Sequence, residues 1–322
     1  MFEGIDEQIL EKIKERGAKK IFLQLPEGLR TKTQELADFL EKNGIETIIS
    51  CEPMWGACDL KDHEGRMLGC DLLVHIGHTQ FGDLESEIPV LYFPFKLEYN
   101  PLHVLKKDWK KIEKFKSFNL VSTAQHIDCL PVVKDFLEKQ GKKVLSFGKP
   151  SISKQPGQIL GCDQAVALEG DAECVLYVGS GKFHPLGIVR KTEKPVFVLS
   201  TDTDSVEDFS KDRDKFLKIK FAQIEKAKDA KNFGIVVSSK PGQMRIKQAE
   251  VVKKKLESMG KKAWILVMDF ITKEKLMGLK LDILVNCACP RLDEDSHLFG
   301  MPILNTEDIG KLNEKFIDVF VG

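Results

Sequence analysis

The sequence predicts an α/β protein of three similar domains, each a parallel sheet flanked by helices. Three observations predict it. A unit of strand, loop, helix, glycine and strand occurs three times along the 322 residues. The connections are short and carry a helix, the linkage that joins parallel strands. The strands are near-continuous apolar runs, as they are when helices cover both faces of a sheet.

Residues 3–16 place Ile5, Ile9, Leu10 and Ile13 on one helical face. The first unit then begins with the strand 20–25 (KIFLQL), broken at Pro26, Glu27 and Gly28. A helix with Leu36, Ala37, Phe39 and Leu40 stops at Asn43-Gly44, a glycine helix end. The strand 46–50 leads to the loop that carries Cys58. The second unit has strand 119–124, a loop with Gln125, His126, Asp128 and Cys129, helix 131–140 ended by Gly141, and strand 143–147. The third has strand 233–238, a loop from Lys240 to Gln243, helix 246–258 ended by Gly260, and strand 263–267. In each unit the loop after the first strand lies at the carboxyl edge of a parallel sheet, where open α/β folds bind ligands. The three edges are expected to face one another. Residues 101–116 and 203–231, the latter with Phe209, Phe216, Ile219 and Ile224, read as charged connectors with solvated helix faces. The expected domains are 1–105, 106–215 and 216–322.

Hydrophobic residues at 42% and charged residues at 30% mark an ordinary globular chain. Lys plus Arg equals Asp plus Glu at 49 each, so global charge points to neither a nucleic-acid nor a membrane partner. The acidic start lacks the features of a signal peptide, and no apolar run approaches the ~20 residues of a membrane helix. The expected location is cytoplasmic. Thiols stay reduced there, so the eight cysteines are packing residues or metal ligands.

Their spacing separates the two roles. Cys58-Asp59 is followed twelve residues on by Cys70, and Cys162-Asp163 twelve residues on by Cys174. The match marks a duplicated unit. Neither a paired CxxC zinc pattern nor a compact CxxxCxxC loop is present, which directs attention to ligands from different domains. Cys58 and Cys162 lie in loops beside a glycine and before a helix, where backbone amides favour a thiolate. Cys70 and Cys174 start strands and read as core; Cys51 and Cys129 also read as packing. The third unit has Met268-Asp269-Phe270 at the corresponding place, and its cysteines, Cys287 and Cys289, follow strand 282–286 instead. Spacing alone does not choose between them, since an i, i+2 pair shares a face. Cys289, nearer the strand end and before Pro290, is the better loop candidate. A closed structural zinc wants four ligands; one thiolate from each domain leaves a metal position free, which suits an iron–sulfur cluster with an accessible iron.

Several motifs resemble one family over nearly the whole chain and in its order: Leu25–Leu29 (LPEGL), Trp55–Asp59 (WGACD), Leu160–Cys162, Tyr177–Gly187 (YVGSGKFHPLG), Lys240–Gln243 (KPGQ) and Ala288–Arg291 (ACPR). This is the iron–sulfur subunit family of 2-(3-amino-3-carboxypropyl)histidine synthase, the first enzyme of diphthamide biosynthesis. The resemblance implies that Cys58, Cys162 and Cys289 hold a 4Fe–4S cluster in a central cleft between the domains, with no further catalytic residue assigned. It implies that S-adenosylmethionine, bound at the open iron of the reduced cluster, loses its sulfur to γ-carbon bond after taking one electron. The 3-amino-3-carboxypropyl radical so formed adds to a histidine imidazole carbon of translation elongation factor 2. It also implies a homodimer and an external electron donor.

Other candidates are less specific. Gly179, Ser180 and Gly181 resemble a backbone nest for an anionic group such as the methionine carboxylate, or a plain tight turn. His184 suits ligand contact or a turn cap. Gln125 and Glu27 lie in edge loops as further cofactor-binding candidates; Lys182, Lys240 and Arg291 suit a carboxylate or are surface charges. Two competing readings stand beside the radical transferase: a quinolinate synthase-like 4Fe–4S dehydratase, and a non-catalytic metal-binding interaction module.

Overall fold

The computed structural model describes residues 5–146, 152–153 and 155–313; residues 3 and 4 of the expected first helix, and Phe147 of an expected strand, lie outside them. The chain divides into two compact units, Met1–Ser210 and Lys211–Gly322.

The first unit holds two sheets. The first sheet is built from α1 (Ile5–Glu15), β1 (Lys20–Gln24), α2 (Thr33–Lys42), β2 (Glu46–Ile49), α3 (Asp62–Met67), β3 (Leu72–Ile76) and β4 (Val90–Phe93). Its strand order is β2-β1-β3-β4, all parallel. The second is built from α4 (Leu102–Asp108), β5 (Ser117–Ser122), α5 (Cys129–Lys139), β6 (Lys143–Ser146), α6 (Ala165–Leu168), β7 (Cys174–Gly179), α7 (Phe183–Val189), β8 (Val196–Ser200) and β9 (Ser205–Asp208). Its order is β6-β5-β7-β8-β9, with β9 antiparallel to β8. The second unit contains α8 (Asp212–Asp229), β10 (Asn232–Ser238), α9 (Ile246–Ser258), β11 (Lys262–Met268), β12 (Ile283–Asn286), α10 (Ser296–Phe299) and β13 (Ile303–Asn305), with the parallel order β11-β10-β12-β13. One topology therefore occurs three times, with an antiparallel edge strand added in the second copy.

Two devices recur with it. The helices α2, α5 and α9 end on Gly44, Gly141 and Gly260 at φ of +83°, +74° and +74°, a left-handed conformation that a side chain disfavours. Beyond each glycine the next amide reaches back to the helix: Ile45 to Leu40, Lys142 to Leu137 and Lys261 to Leu256, at 3.0–3.1 Å. This closes the helix end with its carbonyls satisfied. The second device is an acid just before the third strand of each sheet. Asp71, Glu173 and Asp282 accept the backbone N–H groups of Lys19 and Lys20, of Lys116, and of Lys231 and Asn232. These bonds fix where the first strand of each sheet begins.

The unbroken apolar strands follow from burial on both faces. On β7, Cys174, Leu176 and Val178 enter one core cluster while Val175 and Tyr177 enter the other. On β3, Leu72, Val74 and Ile76 face α1 and α2, whereas Leu73 packs with Phe22, Leu60 and Cys70.

Two expectations need correction. Residues 101–116 are not a solvated connector: Val104, Leu105 and Ile112 are fully buried in the core of the second sheet. Within 203–231 the first part is the strand β9, pinned by Asp108, whose Oδ2 accepts the Val206 amide at 2.7 Å. Charged residues flank both segments, so composition hid their narrow apolar faces. Helix α5 also begins at Cys129 rather than 131, taking in a residue read as loop. No helix among the described residues is long and apolar enough to cross a membrane.

Candidate functional site

All eight cysteines are described and none forms a disulfide, but their surroundings differ. Cys70, Cys129, Cys174 and Cys287 are buried in cores. Burial raises all four thiols, Cys287 to about 11. Cys51 is exposed, so the packing role expected for it is wrong; it lies two residues beyond the end of β2. Cys58, Cys162 and Cys289 alone are half-buried.

Cys58 and Cys162 occupy the same local frame. The Asp59 amide closes a turn on the Gly56 carbonyl at 3.0 Å, and the Asp163 amide closes one on Leu160 at 3.2 Å. Each cysteine is the third residue of its turn, following the second strand of its sheet. The aspartates after them are buried: Asp59 stands 3.5 Å from Lys61 Nζ, and Asp163 accepts the Ile152 and Ala165 amides. The repeated Cys-Asp pair thus combines a half-buried thiol with a buried aspartate, which in the second copy holds two loop amides. Cys289 is placed differently, after the third strand of its sheet, opening a turn closed by the Leu292 amide at 3.0 Å. Burial raises the Cys289 thiol, opposed by the Arg291 backbone N–H it accepts. Among the described residues no three His, Cys, Asp or Glu side chains form a group that could hold a metal ion. Cys58 and Cys162 belong to the first unit and Cys289 to the second.

The other candidates are distributed around these loops. Gly179 ends β7 under the fully buried Tyr177 ring; a Cβ there would lie 2.6 Å from the Tyr177 hydroxyl. His184 stacks on Tyr177 with 15° between the rings. The Gly181 amide donates to Asp202 at 2.7 Å, so one amide of the nest already holds an internal carboxylate. The neighbouring Phe183 lies against Gly161, where a Cβ would fall 2.2 Å from the ring; the GSGKF segment therefore seats on the Cys162 turn. Gln125 ties the sheets of the first unit together, its Nε2 donating to Gly77 at 3.4 Å and its carbonyl accepting from Leu97 at 2.8 Å. Glu27 is exposed, 3.6 Å from Arg30. Lys240 and Arg291 are not surface charges: Lys240 lies over the Phe270 ring at 3.6 Å, and buried Arg291 pairs with Glu294. Lys182 is exposed.

Sequence reasoning missed a polar group at the carboxyl end of the first sheet. His75 Nδ1 donates to Gln24 Oε1 at 3.1 Å, and Gln24 Nε2 donates to the Asp59 carbonyl at 2.7 Å. Gln24 Oε1 can only accept, so His75 carries its proton on Nδ1; its Nε2 is buried with no partner. Burial, and then the neighbouring His78, holds His75 well below the ordinary imidazole range; burial brings His78 down to about 4. The signal was there as single polar residues inside apolar strands, Gln24 in KIFLQL and His75 in LLVHI.

Fold and site together define a triplicated α/β protein with one half-buried thiol in a loop after a strand of each sheet. The diphthamide synthesis protein family matches residues 25–312. The chain belongs to that family. It is 38% identical over 304 residues to 2-(3-amino-3-carboxypropyl)histidine synthase of Pyrococcus horikoshii, covering 94% of this chain and 88% of the relative. It is 26% identical to subunit 1 of the synthase from Saccharomyces cerevisiae, covering 94% of this chain and 73% of that one. The crystal structure of Dph2 from Pyrococcus horikoshii with a 4Fe–4S cluster aligns at a TM-score of 0.89 and 38% identity, covering 95% of this chain and 89% of that chain.

Proposed function

We propose that the chain is a 2-(3-amino-3-carboxypropyl)histidine synthase, a transferase acting at the first step of diphthamide biosynthesis. It moves the 3-amino-3-carboxypropyl group of S-adenosylmethionine to an imidazole carbon of a histidine in translation elongation factor 2, releasing methylthioadenosine and a proton. In this reading Cys58, Cys162 and Cys289 hold a 4Fe–4S cluster. When bound, the cluster supplies the single electron that cleaves the sulfonium bond to the methionine γ-carbon. The observation that carries the assignment is the sorting of the cysteines: these three alone are half-buried, and each follows a strand in a different sheet. The donor set fits the group, since thiolates are the usual iron–sulfur ligands and three leave one iron open.

The chain's own part is to hold and shield. The paired turns at 56–59 and 160–163 present two thiols in one frame, and the ACPR turn presents the third. Gly179, Ser180 and His184, on the shelf formed by Tyr177, suit the methionine end of S-adenosylmethionine, with Gln125 and Glu27 as outer contacts. A water-poor site keeps a reactive fragment from side reactions. The proposal includes the division 1–105, 106–215 and 216–322, with α4 carried across the first boundary, and a cytoplasmic homodimer served by an external electron donor.

Anaerobic purification tests it. The expected protein is brown, binds about four irons per chain and forms methylthioadenosine from S-adenosylmethionine after dithionite. A colourless protein that takes up no iron on reconstitution contradicts it, and quinolinate formed from iminoaspartate replaces it with the dehydratase reading.

A further inference from the structure

We infer that Gln24, Gln164 and Asn286 are positioning residues, each clamping the loop of one proposed cluster thiolate through a neutral side-chain amide. The inference rests on the reading of Cys58, Cys162 and Cys289 as ligands. All three carboxamides are buried, at 1%, 2% and 4% exposure. Each donates to a carbonyl within one residue of a different cysteine: Gln24 to Asp59 at 2.7 Å, Gln164 to Gly161 at 2.6 Å and Asn286 to Cys289 at 2.6 Å. Gln164 also reaches Leu160 at 2.9 Å, so it spans the turn that carries Cys162. Asn286 is used at both ends, its Oδ1 accepting the Ala288 amide at 2.9 Å.

Ancestry does not account for the pattern. Gln24 ends the first strand of its sheet, Asn286 ends the third strand of its own, and Gln164 follows its cysteine by two residues. These positions do not correspond in the repeat, unlike the helix-ending glycines and the acidic anchors. The same chemistry stands at three unrelated places, and the cysteine loops are what they have in common. The packing cysteines supply the contrast: among the described residues, no carbonyl within one residue of Cys70, Cys129, Cys174 or Cys287 receives a side-chain carboxamide.

Two of the clamps are themselves held. His75 orients Gln24, and Asn305 both accepts from Asn286 at 2.7 Å and donates to the Pro290 carbonyl at 3.1 Å. A carboxamide supplies a donor that keeps its hydrogen whatever the pH. Loops fixed before metal arrives lose less freedom when it binds.

The test uses full-length Gln24→Glu, Gln164→Glu and Asn286→Asp, which keep shape but set an oxygen against the carbonyl. Asn119→Asp is the matched control: Asn119 is a fully buried carboxamide that holds Ala167 and Glu169 rather than a cysteine loop. Each protein is reconstituted anaerobically, and bleaching of its visible absorption by a ferrous chelator is timed beside the thermal midpoint of the metal-free form. The clamp variants are expected to bleach about 10- to 100-fold faster than wild type, while Asn119→Asp loses thermal stability but bleaches at the wild-type rate. Where a carboxylate variant does not fold, the neutral Gln24→Met, Gln164→Met or Asn286→Ser replaces it with the same expectation. Clamp variants that lose only thermal stability and bleach like the control overturn the inference. The Cys58→Ala, Cys162→Ala and Cys289→Ala proteins in the same assay separate the two failures. If they lose the cluster while the clamp variants do not, only the clamps are wrong; if they keep it, the ligand reading falls and the inference with it.

Discussion

Cys287 and Cys289 stand two residues apart and should respond to alanine in opposite ways. Cys287 is 1% exposed and packs among Val285, Leu304 and their neighbours. Cys287→Ala removes one buried sulfur, a transfer loss close to that of a methylene group plus a small cavity, or about 1–2 kcal/mol. Cys289 is half-buried and outside that cluster, so Cys289→Ala costs the metal-free protein under about 0.5 kcal/mol. Iron uptake reverses the order. Cys287 lies inside the core and is not needed, whereas loss of Cys289 removes a proposed ligand. Urea unfolding of the metal-free proteins and iron content after anaerobic reconstitution measure both sides. The reasoning is refuted if Cys287→Ala fails to load the cluster while Cys289→Ala loads it.

Further outcomes follow from the same geometry. Lys220 Nζ lies 2.7 Å from Asp308 and 3.5 Å from Asp293, both buried. Lys220→Met removes the cation these two carboxylates share, leaving them the Asn305 N–H donors; it should cost about 3 kcal/mol in urea unfolding, and a loss below about 1 kcal/mol contradicts a buried network. Gly179→Ala places a methyl 2.6 Å from the hydroxyl of the fully buried Tyr177, so thermal unfolding should report about 1–3 kcal/mol of destabilisation, and a neutral result is incompatible with that contact. His75 and His78 are held neutral in the fold, so unfolding lets both take a proton at acid pH. Their stabilisation is complete above the unfolded value of about 6.5 and declines as pH falls toward the His78 value of about 4. Each ring contributes about 1.4 kcal/mol per pH unit; His78→Gln should flatten the slope by one proton, and an unchanged slope excludes it.

The architecture was legible because it repeats. Strands buried on both faces and helices closed by Gly44, Gly141 and Gly260 leave local signatures, and the two Cys-Asp pairs marked equivalent turns. What stayed hidden depends on contacts across the fold. The strand β9 exists because it pairs with β8 and bonds Asp108, neither of which its four residues announce. The apolar face of α4 is narrow and diluted by lysines. Cys51 and Cys129 read alike in sequence as packing residues, and burial tells them apart. Gln24, Gln164 and Asn286 were passed over because a lone polar residue has no periodicity, and its purpose shows only through the carbonyl it meets.

The most direct test is transfer itself. Anaerobically reconstituted wild-type protein, reduced with dithionite, is incubated with archaeal elongation factor 2 and S-adenosylmethionine labelled in the carboxypropyl carbons, and the factor is mapped by peptide mass spectrometry. The account predicts label on one histidine of the factor, methylthioadenosine in matching amount, and neither product with Cys58→Ala, Cys162→Ala or Cys289→Ala. Deoxyadenosine in place of methylthioadenosine, or transfer that survives loss of any of the three cysteines, contradicts it.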